Sequence, residues 1–327
     1  MPNRTGPNSI LPLLLENQRR AGTEPRAPRA GDRWAFFIFC KDRFQYTLQT
    51  VASLDSEPGF DLFWIDSSET PEGRALPYAY KPRFAHVREI YTDLRGADLA
   101  PRWGLPEPKA GTGVGGSNAA LCQRFALERL VDLGYDYIGM VESDVIFRPG
   151  WFTRLKEAMA QAAADGLAVG YADVRTYTSR LIEMRRGYGI YFAGASTAVF
   201  TREAAKVAAR HYGQPFRSIG EWMDFYQDRW GLNLRTQASS SFASEFNVPP
   251  AMNRLALERS WHSEDWWFAP HFYAVGLNCI GSIPAYCYDL EIDPELAFDA
   301  PYAGVHHSNR GLIAALGESH APVGMSL

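Results

Sequence analysis

The prediction of the fold starts from residues 135–144, which run YDYIGMVESD. The apolar part of this stretch predicts a strand that is buried on both faces. The strand delivers two acids, Glu142 and Asp144, with only Ser143 between them. In open α/β sheets, ligands bind in the crevice at the carboxyl ends of the strands. We therefore expect the two carboxylates to lie at a binding site on that edge of a sheet.

The pair of acids predicts a site for a hard divalent cation. Mg²⁺ and Mn²⁺ prefer oxygen ligands and often bridge protein carboxylates to substrate phosphates. Side chains at positions i and i+2 of an extended segment share a face, so Glu142 and Asp144 can point at one ion. Acid pairs at this spacing are common, and the alternative is a polar strand end whose acids only face water. The rest of the sequence has to decide between these interpretations.

Length and composition predict a globular protein of one large α/β domain or about two domains. The chain has 327 residues, of which 46% are hydrophobic and 21% are charged, so it can bury a sizeable core. The formal net charge of −4 gives no electrostatic indication of general nucleic-acid binding. The four cysteines lack a CxxC pair, which excludes a zinc ribbon and a redox motif and favours free thiols in a reducing compartment.

The N-terminal residues 1–32 are rich in Pro, Arg, Gly and Asn. We expect them to form a mobile leader with one short helix over residues 13–20. The apolar run at residues 10–15 is far shorter than a bilayer span and has no basic region before it. We therefore predict no transmembrane segment and a cytoplasmic protein, and we leave peripheral contact with a membrane open.

Alternating strand and helix patterns predict an α/β fold with a mixed, mostly parallel central sheet flanked by helices. A glycine cluster at residues 111–116 lacks the Lys-Ser/Thr of a P-loop and does not directly follow a strand, so neither phosphate-binding fingerprint is met. The predicted strands cover residues 34–40, 60–65, 85–91, 135–141, 167–171, 191–201, 275–279 and 280–288. The predicted helices cover residues 46–54, 117–133, 152–164, 202–211 and 263–274.

The order of these pieces resembles that of nucleotide-sugar-dependent glycosyltransferases of the GT-A fold, most closely the family 2 group. The likeness extends from about Trp34 to His307, and the first motif acid departs from the family because it is Glu rather than Asp. The resemblance implies one GT-A (Rossmann-like) domain over residues 33–327, with a nucleotide-sugar half at 33–150 and an acceptor half at 151–327. In the first half of the chain, the matching features are a strand-loop-helix start, a strand ending in Asp66, and a helix before the DxD-like motif Glu142-Ser143-Asp144. In the second half, they are Pro149-Gly150-Trp151 directly after that motif, a strand leading into Thr201-Arg202-Glu203, and Glu264-Asp265 opening a helix.

The resemblance implies the transfer of a sugar from a nucleoside-diphosphate sugar, with UDP-sugar favoured, to a hydroxyl of a saccharide or other acceptor. Mn²⁺ or Mg²⁺ would stabilise the charge of the departing diphosphate. It implies that Asp144 binds the metal directly and that Glu142 reaches it through water or holds the ribose. His306 or His307 would be a further ligand, and only one of them should reach the ion because the two alternate faces if extended.

Further roles follow from the same resemblance, each with a structural alternative. Asp66 would accept the imide N–H of uracil, or it is a turn acid in Asp-Ser-Ser. Lys41 and Arg43 of the first loop could touch the base or the phosphates, or they belong to a solvated turn. Asp265 is the candidate general base of an inverting transfer, with Glu264 orienting the acceptor; alternatively, Asp265 is a charge or cap at a helix N-terminus.

Three other functions stay open. A retaining GT-A glycosyltransferase would also suit a metal-binding His late in the chain. A nucleotidyltransferase would place a glycine-rich, basic fingerprint after the first strand, where this chain has Cys40-Lys41-Asp42-Arg43. A non-catalytic carbohydrate-binding protein would not need the acid pair, the late His and Glu264-Asp265 together.

Overall fold

The computed structural model describes residues 9–41, 44–105, 118–174, 181–191, 197–211, 265–283 and 285–289. No helix in these ranges is long and apolar enough to cross a membrane. The helices are α1 (Leu11–Ala21), α2 (Phe44–Leu54), α3 (Pro71–Tyr80), α4 (Gly96–Leu99), α5 (Asn118–Asp132), α6 (Trp151–Ala164), α7 (Arg202–His211) and α8 (Asp265–Ala274). The strands are β1 (Trp34–Cys40), β2 (Asp61–Asp66), β3 (Val87–Tyr91), β4 (Tyr137–Glu142), β5 (Val145–Phe147), β6 (Val169–Asp173), β7 (Leu181–Arg185), β8 (Tyr188–Tyr191), β9 (Ala198–Thr201), β10 (Asn278–Ser282) and β11 (Cys287–Asp289).

Within the described ranges, nine strands form one sheet in the order β3-β2-β1-β4-β9-β6-β10-β8-β7. Strands β9 and β8 are antiparallel to both of their neighbours. The other seven strands point the same way, because β3, β2, β1 and β4 pair in parallel and β6 pairs in parallel with β10. A second, two-stranded sheet pairs β11 antiparallel to β5. The predicted mixed, mostly parallel sheet flanked by helices is confirmed.

An aromatic layer joins the centre of the sheet to α6. Phe36 of β1 lies opposite Gly139 of β4, and a Cβ atom on Gly139 would lie only 2.0 Å from Phe36 Cδ1. The Phe36 ring therefore occupies the space that any side chain at position 139 would need. The same ring makes edge contacts with Trp151 and Phe152 at the start of α6. This interlock fixes β1 against β4, the strand that carries Glu142.

The described part of the predicted mobile leader is packed against the core. Helix α1 confirms the helix predicted there, and its Leu14 is completely buried. Glu183 of β7 accepts a hydrogen bond from the Ile10 N–H at 2.8 Å, at the start of the helix. Gln18 is 6% exposed; its Nε2 donates to the Gly166 carbonyl at 2.9 Å, and its Oε1 accepts from the Ala168 N–H at 2.6 Å. Residues 10–18 thus contact the core through α1, while the mobile leader over residues 1–32, the domain boundary at residue 33 and the two halves stay predictions.

Several elements of the structure differ from the prediction, and two of them are instructive. The single strand predicted over residues 191–201 is wrong, because β8 ends at Tyr191 and β9 begins at Ala198, in separate positions of the sheet. Helix α3 was not predicted, since Pro77 lies inside it and proline usually interrupts a helix. The helix nevertheless begins with two usual signals, a Thr70 side chain that accepts from the Gly73 N–H and a proline at its first position.

We expect Gln18→Ala to lower the free energy of unfolding by about 2 kcal/mol, because the buried Ala168 N–H and the partly buried Gly166 carbonyl would lose their partner. Glu16→Ala is the matched control on the same helix, since Glu16 contacts only Arg19 and Arg20 near the solvent, and it should leave stability nearly unchanged. Chemical denaturation of both variants measures the difference. Equal stability of the two variants would contradict the anchoring role of Gln18.

Candidate active site

The carboxyl ends of β1, β2 and β4 meet at one edge of the sheet. In the parallel register, Cys40 lies opposite Asp66, and Phe39 lies opposite Glu142. Neighbouring strands are about 4.8 Å apart, so the backbones of Asp66 and Glu142 are separated by about 10 Å across β1. The structure therefore brings the predicted acids of β2 and β4 to the same edge and to nearly the same height.

The two acids of the motif flank a tight change of chain direction. Strand β4 ends at Glu142, Ser143 and Asp144 form a turn, and β5 begins at Val145. Our expectation that Glu142 and Asp144 share a face assumed an extended chain, and that premise is wrong because the strand stops at Glu142. Both acids are partly exposed, whereas Ser143 is buried. The turn thus presents two accessible carboxylates at the edge of the sheet.

Hydroxyl groups of α2 anchor the chain directly after this turn. Thr50 Oγ1 accepts a hydrogen bond from the Val145 N–H at 3.1 Å, and Ser53 Oγ accepts from the Phe147 N–H at 3.1 Å. Thr50 and Ser53 are three positions apart on the helix and therefore lie on the same side of it. All of these bonds are buried. Helix α2 on one side and β11 on the other therefore hold β5, and with it the position of Asp144.

Asp66 is 1% exposed and already engaged in a turn. Its Oδ1 accepts from the Ser68 N–H at 3.3 Å, from the Ser68 hydroxyl at 2.6 Å and from the Cys40 thiol at 3.5 Å. Burial raises the pKa of the Cys40 thiol well above its usual value, and the charge of Asp66 raises that pKa further. The thiol is therefore a protonated donor. These contacts are the ones expected of a turn acid, and contact with a nucleobase stays a prediction.

Lys41 lies at the rim of the same edge. Its Nζ forms an ion pair with Glu69 Oε1 at 2.6 Å, and both side chains are largely exposed. Ion pairs with this exposure contribute about 0–1 kcal/mol, so a bound phosphate could replace Glu69 at little cost. Asp265 is the first described residue of α8, which extends to Ala274, and its role as a base stays a prediction. Arg43, Glu264, His306 and His307 lie outside the described residues.

Among the described residues, two side chains have the chemistry of metal ligands. Glu142 and Asp144 offer accessible carboxylate oxygens, the ligands that hard divalent cations prefer. Within the described ranges, no group of three or more His, Cys, Asp or Glu side chains is placed to hold a metal ion. A complete coordination shell would therefore need further ligands from residues outside those ranges, from water or from the phosphates of a substrate.

Sequence reasoning missed one acid of this edge, Asp173. It is the last residue of β6, it is 1% exposed, and it lies opposite Ala198 of β9, which in turn lies opposite Met140 of β4. Partners in such a row point to the same face, and Glu142 follows Met140 by two residues, so it shares that face. The predicted strand stopped at Tyr171, two residues short. The available signal was an apolar run closed by a single acid, the same pattern as in β2 and β4.

Comparisons with known proteins add only distant likenesses. No protein-family model matches the sequence, and no curated protein matches it. A crystal structure of S. aureus TarS is 9% identical with a TM-score of 0.42, and the match covers 79% of this chain but 36% of that chain. A structure of TarS 1–349 is 8% identical with a TM-score of 0.37, covering 61% and 55%. A mannosyltransferase from Pyrobaculum calidifontis in complex with GDP-Man and Mn²⁺ is 12% identical with a TM-score of 0.34, covering 81% of each chain. These likenesses are too distant to carry a conclusion about activity.

We expect Thr50→Val to lower the free energy of unfolding by about 1–3 kcal/mol, because the buried Val145 N–H would lose its acceptor while the side chain keeps its volume. Ser56→Ala is the control on the segment after α2. Its hydroxyl only donates to the Ser53 carbonyl near the surface, so we expect a loss below about 0.5 kcal/mol. Denaturant titrations test this, and a neutral Thr50→Val would contradict the anchoring of the turn by α2.

Proposed function

We propose that this chain is a metal-dependent glycosyltransferase that moves a sugar from a nucleoside-diphosphate sugar, with UDP-sugar favoured, to an acceptor hydroxyl. The observation that carries the proposal is the anchored turn with two accessible carboxylates, Glu142 and Asp144, at the carboxyl edge of a mostly parallel sheet. Ligands of open α/β sheets bind at this edge. The turn acids follow β4, which pairs with β1, and β2 lies on the other side of β1; the ends of β1 and β2 would receive the nucleotide.

The first task of such a site is to stabilise a departing nucleoside diphosphate. A divalent cation, when bound, supplies positive charge to the leaving diphosphate. Asp144 would hold that cation directly, and Glu142 would hold it through water or bind the ribose. His306 or His307 would add a further ligand. At the rim, Lys41 would exchange its exposed partner Glu69 for a phosphate oxygen, and Arg43 would contribute a second positive charge.

The second task is to place the two substrates. Asp66 would accept an N–H of the base, at the end of the strand next to β1. Asp265 would remove the proton of the acceptor hydroxyl as the general base. Glu264 would orient the acceptor. One carboxylate base acting on the acceptor hydroxyl favours an inverting transfer, and a retaining transfer is the nearest alternative.

We expect Asp144→Ala to abolish turnover and Mn²⁺-dependent nucleotide binding together. Loss of residues that only orient a metal ligand costs 10–100-fold in affinity or activity, so loss of a direct ligand should cost more than about 100-fold. Glu157→Ala is the control, since Glu157 is an exposed acid paired with Arg154 on α6. Calorimetric titration with UDP in Mn²⁺ or in chelator measures binding. Unchanged Mn²⁺-dependent binding in Asp144→Ala would sink the metal assignment.

The activity itself is tested by release of nucleoside diphosphate from a panel of sugar nucleotides, with Mn²⁺ and with chelator. Release that depends on the metal and increases with an acceptor supports the proposal. Formation of a sugar nucleotide and inorganic diphosphate from a nucleoside triphosphate and a sugar phosphate would instead show a nucleotidyltransferase. Binding of saccharides without release from any donor would show a carbohydrate-binding protein.

We expect Asp265→Asn to bind UDP and Mn²⁺ as the unaltered protein does, but to turn over 10²–10⁴-fold more slowly, roughly the contribution of a general base. The carboxamide keeps the size of the side chain and cannot accept the proton. Initial rates and UDP titrations on the same preparation separate the two effects. Near-normal turnover of Asp265→Asn would show that another group is the base.

A further inference from the structure

We propose that Cys40 is a positioning residue of the nucleotide site, whose thiol, held by Trp64, fixes the carboxylate of Asp66. This inference rests on the proposed function, in which Asp66 accepts an N–H of the nucleobase. It adds a contact between neighbouring strands to the turn contacts that Asp66 makes with Ser68. The thiol would act through Asp66 and would not touch the nucleotide itself.

The pairing of β1 with β2 brings the three side chains together. Cys40 lies directly opposite Asp66 in the parallel register. Trp64 precedes Asp66 by two residues on β2, so the two side chains lie on the same face. All three are buried, with exposed fractions of 6% for Cys40, 0% for Trp64 and 1% for Asp66. The cluster is thus part of the sheet and not of a surface loop.

The hydrogen bonds fix the direction of the thiol. Trp64 Nε1 lies 2.8 Å from Cys40 Sγ, and because an indole N–H can only donate, the sulfur must accept. The Thr47 side chain is a further hydrogen-bond partner of this thiol, and the single S–H of Cys40 has acceptors on β2. It faces Asp66 Oδ1 at 3.5 Å and the Ile65 carbonyl at 3.7 Å. The thiol is protonated, as its raised pKa requires, so it can donate to the carboxylate.

Three donor groups from two residues on different elements contact one oxygen of the Asp66 carboxylate. Ser68 approaches Oδ1 from the loop that follows β2, through its N–H and its hydroxyl. Cys40 approaches the same oxygen from the neighbouring strand. A buried charged group needs such partners to be stable in one orientation. The thiol is thus the donor of this set that comes from the neighbouring strand, and its loss would remove the contact that ties the carboxylate to β1.

Cys122 provides a matched comparison. It is buried, as Cys40 is, but among its described contacts its thiol donates to the Leu94 carbonyl at 3.5 Å and has no carboxylate beside it. A thiol that merely fills the core should behave alike at the two positions. If a substitution of Cys40 weakens the binding of UDP but not of diphosphate, and the same substitution of Cys122 does not, then Cys40 positions Asp66 and does more than fill the core.

The test compares UDP with inorganic diphosphate, which lacks the base, by calorimetric titration in Mn²⁺. We expect Cys40→Ala to weaken UDP binding roughly ten-fold, a typical effect of losing a hydrogen bond to a charged group, and to leave diphosphate binding unchanged. Cys40→Ser retains a donor and should recover most of the UDP affinity. Cys122→Ala should change neither affinity. Cys40→Val fills the space without a donor and takes the place of Cys40→Ala if that variant does not fold.

Asp66→Asn separates failure of this inference from failure of the proposed function. If Asp66→Asn weakens UDP selectively while Cys40→Ala and Cys40→Val do not, Asp66 contacts the base and the positioning role of Cys40 is overturned. If Asp66→Asn leaves the ratio of UDP to diphosphate affinity unchanged, Asp66 does not contact the nucleobase. The proposed positioning role of Cys40 is then overturned as well. Absence of UDP binding in the unaltered protein would overturn this inference and the choice of UDP as the nucleotide, whereas the panel of sugar nucleotides tests the transferase activity itself.

Discussion

The parallel pairing of β1 with β2 on one side and with β4 on the other is the constraint on which the candidate site depends. It sets Cys40 beside Asp66 and Phe39 beside Glu142. A slip of one residue in either pairing would turn the affected side chains to the opposite face of the sheet. The close fit of the Phe36 ring over Gly139 prevents such a slip between β1 and β4, because a larger residue in the place of Gly139 would overlap the ring.

Much of the sheet could be predicted because its central strands carry an unusually plain pattern. Strand β1 has the predicted bounds, since seven apolar residues are followed at once by charged ones. Helix α7 also has the predicted bounds. Strands β2 and β4 each end in an acid after an apolar run, which is why Asp66 and Glu142 could be recognised as residues of one edge. Asp173 follows the same rule and was missed only because the strand before it was predicted two residues too short.

The order and direction of the later strands could not be predicted in this way. Apolar patterning indicates that a segment is buried but carries no information on the direction of its neighbours. Strand β9 runs antiparallel between β4 and β6, while β8 lies on the far side of β10. Strands β8 and β9 are nevertheless only six residues apart in the sequence. The packing of α1 was hidden for a related reason. Gln18 satisfies backbone groups about 150 positions away, and a composition rich in Pro and Arg gives no sign of such contacts.

The polar contacts of this edge divide into buried ones that orient and exposed ones that can exchange. Ser68 and Cys40 orient the Asp66 carboxylate, and Thr50 and Ser53 fix the backbone after Asp144. These groups are neutral, so they set positions without cancelling negative charge, as an arginine or lysine in the same places would do. The ion pair of Lys41 with Glu69 lies at the solvent-exposed rim, where pairs are weak. A site built in this way holds its acids in place through neutral groups, and it meets an incoming phosphate with a lysine whose ion pair with Glu69 is exposed and weak.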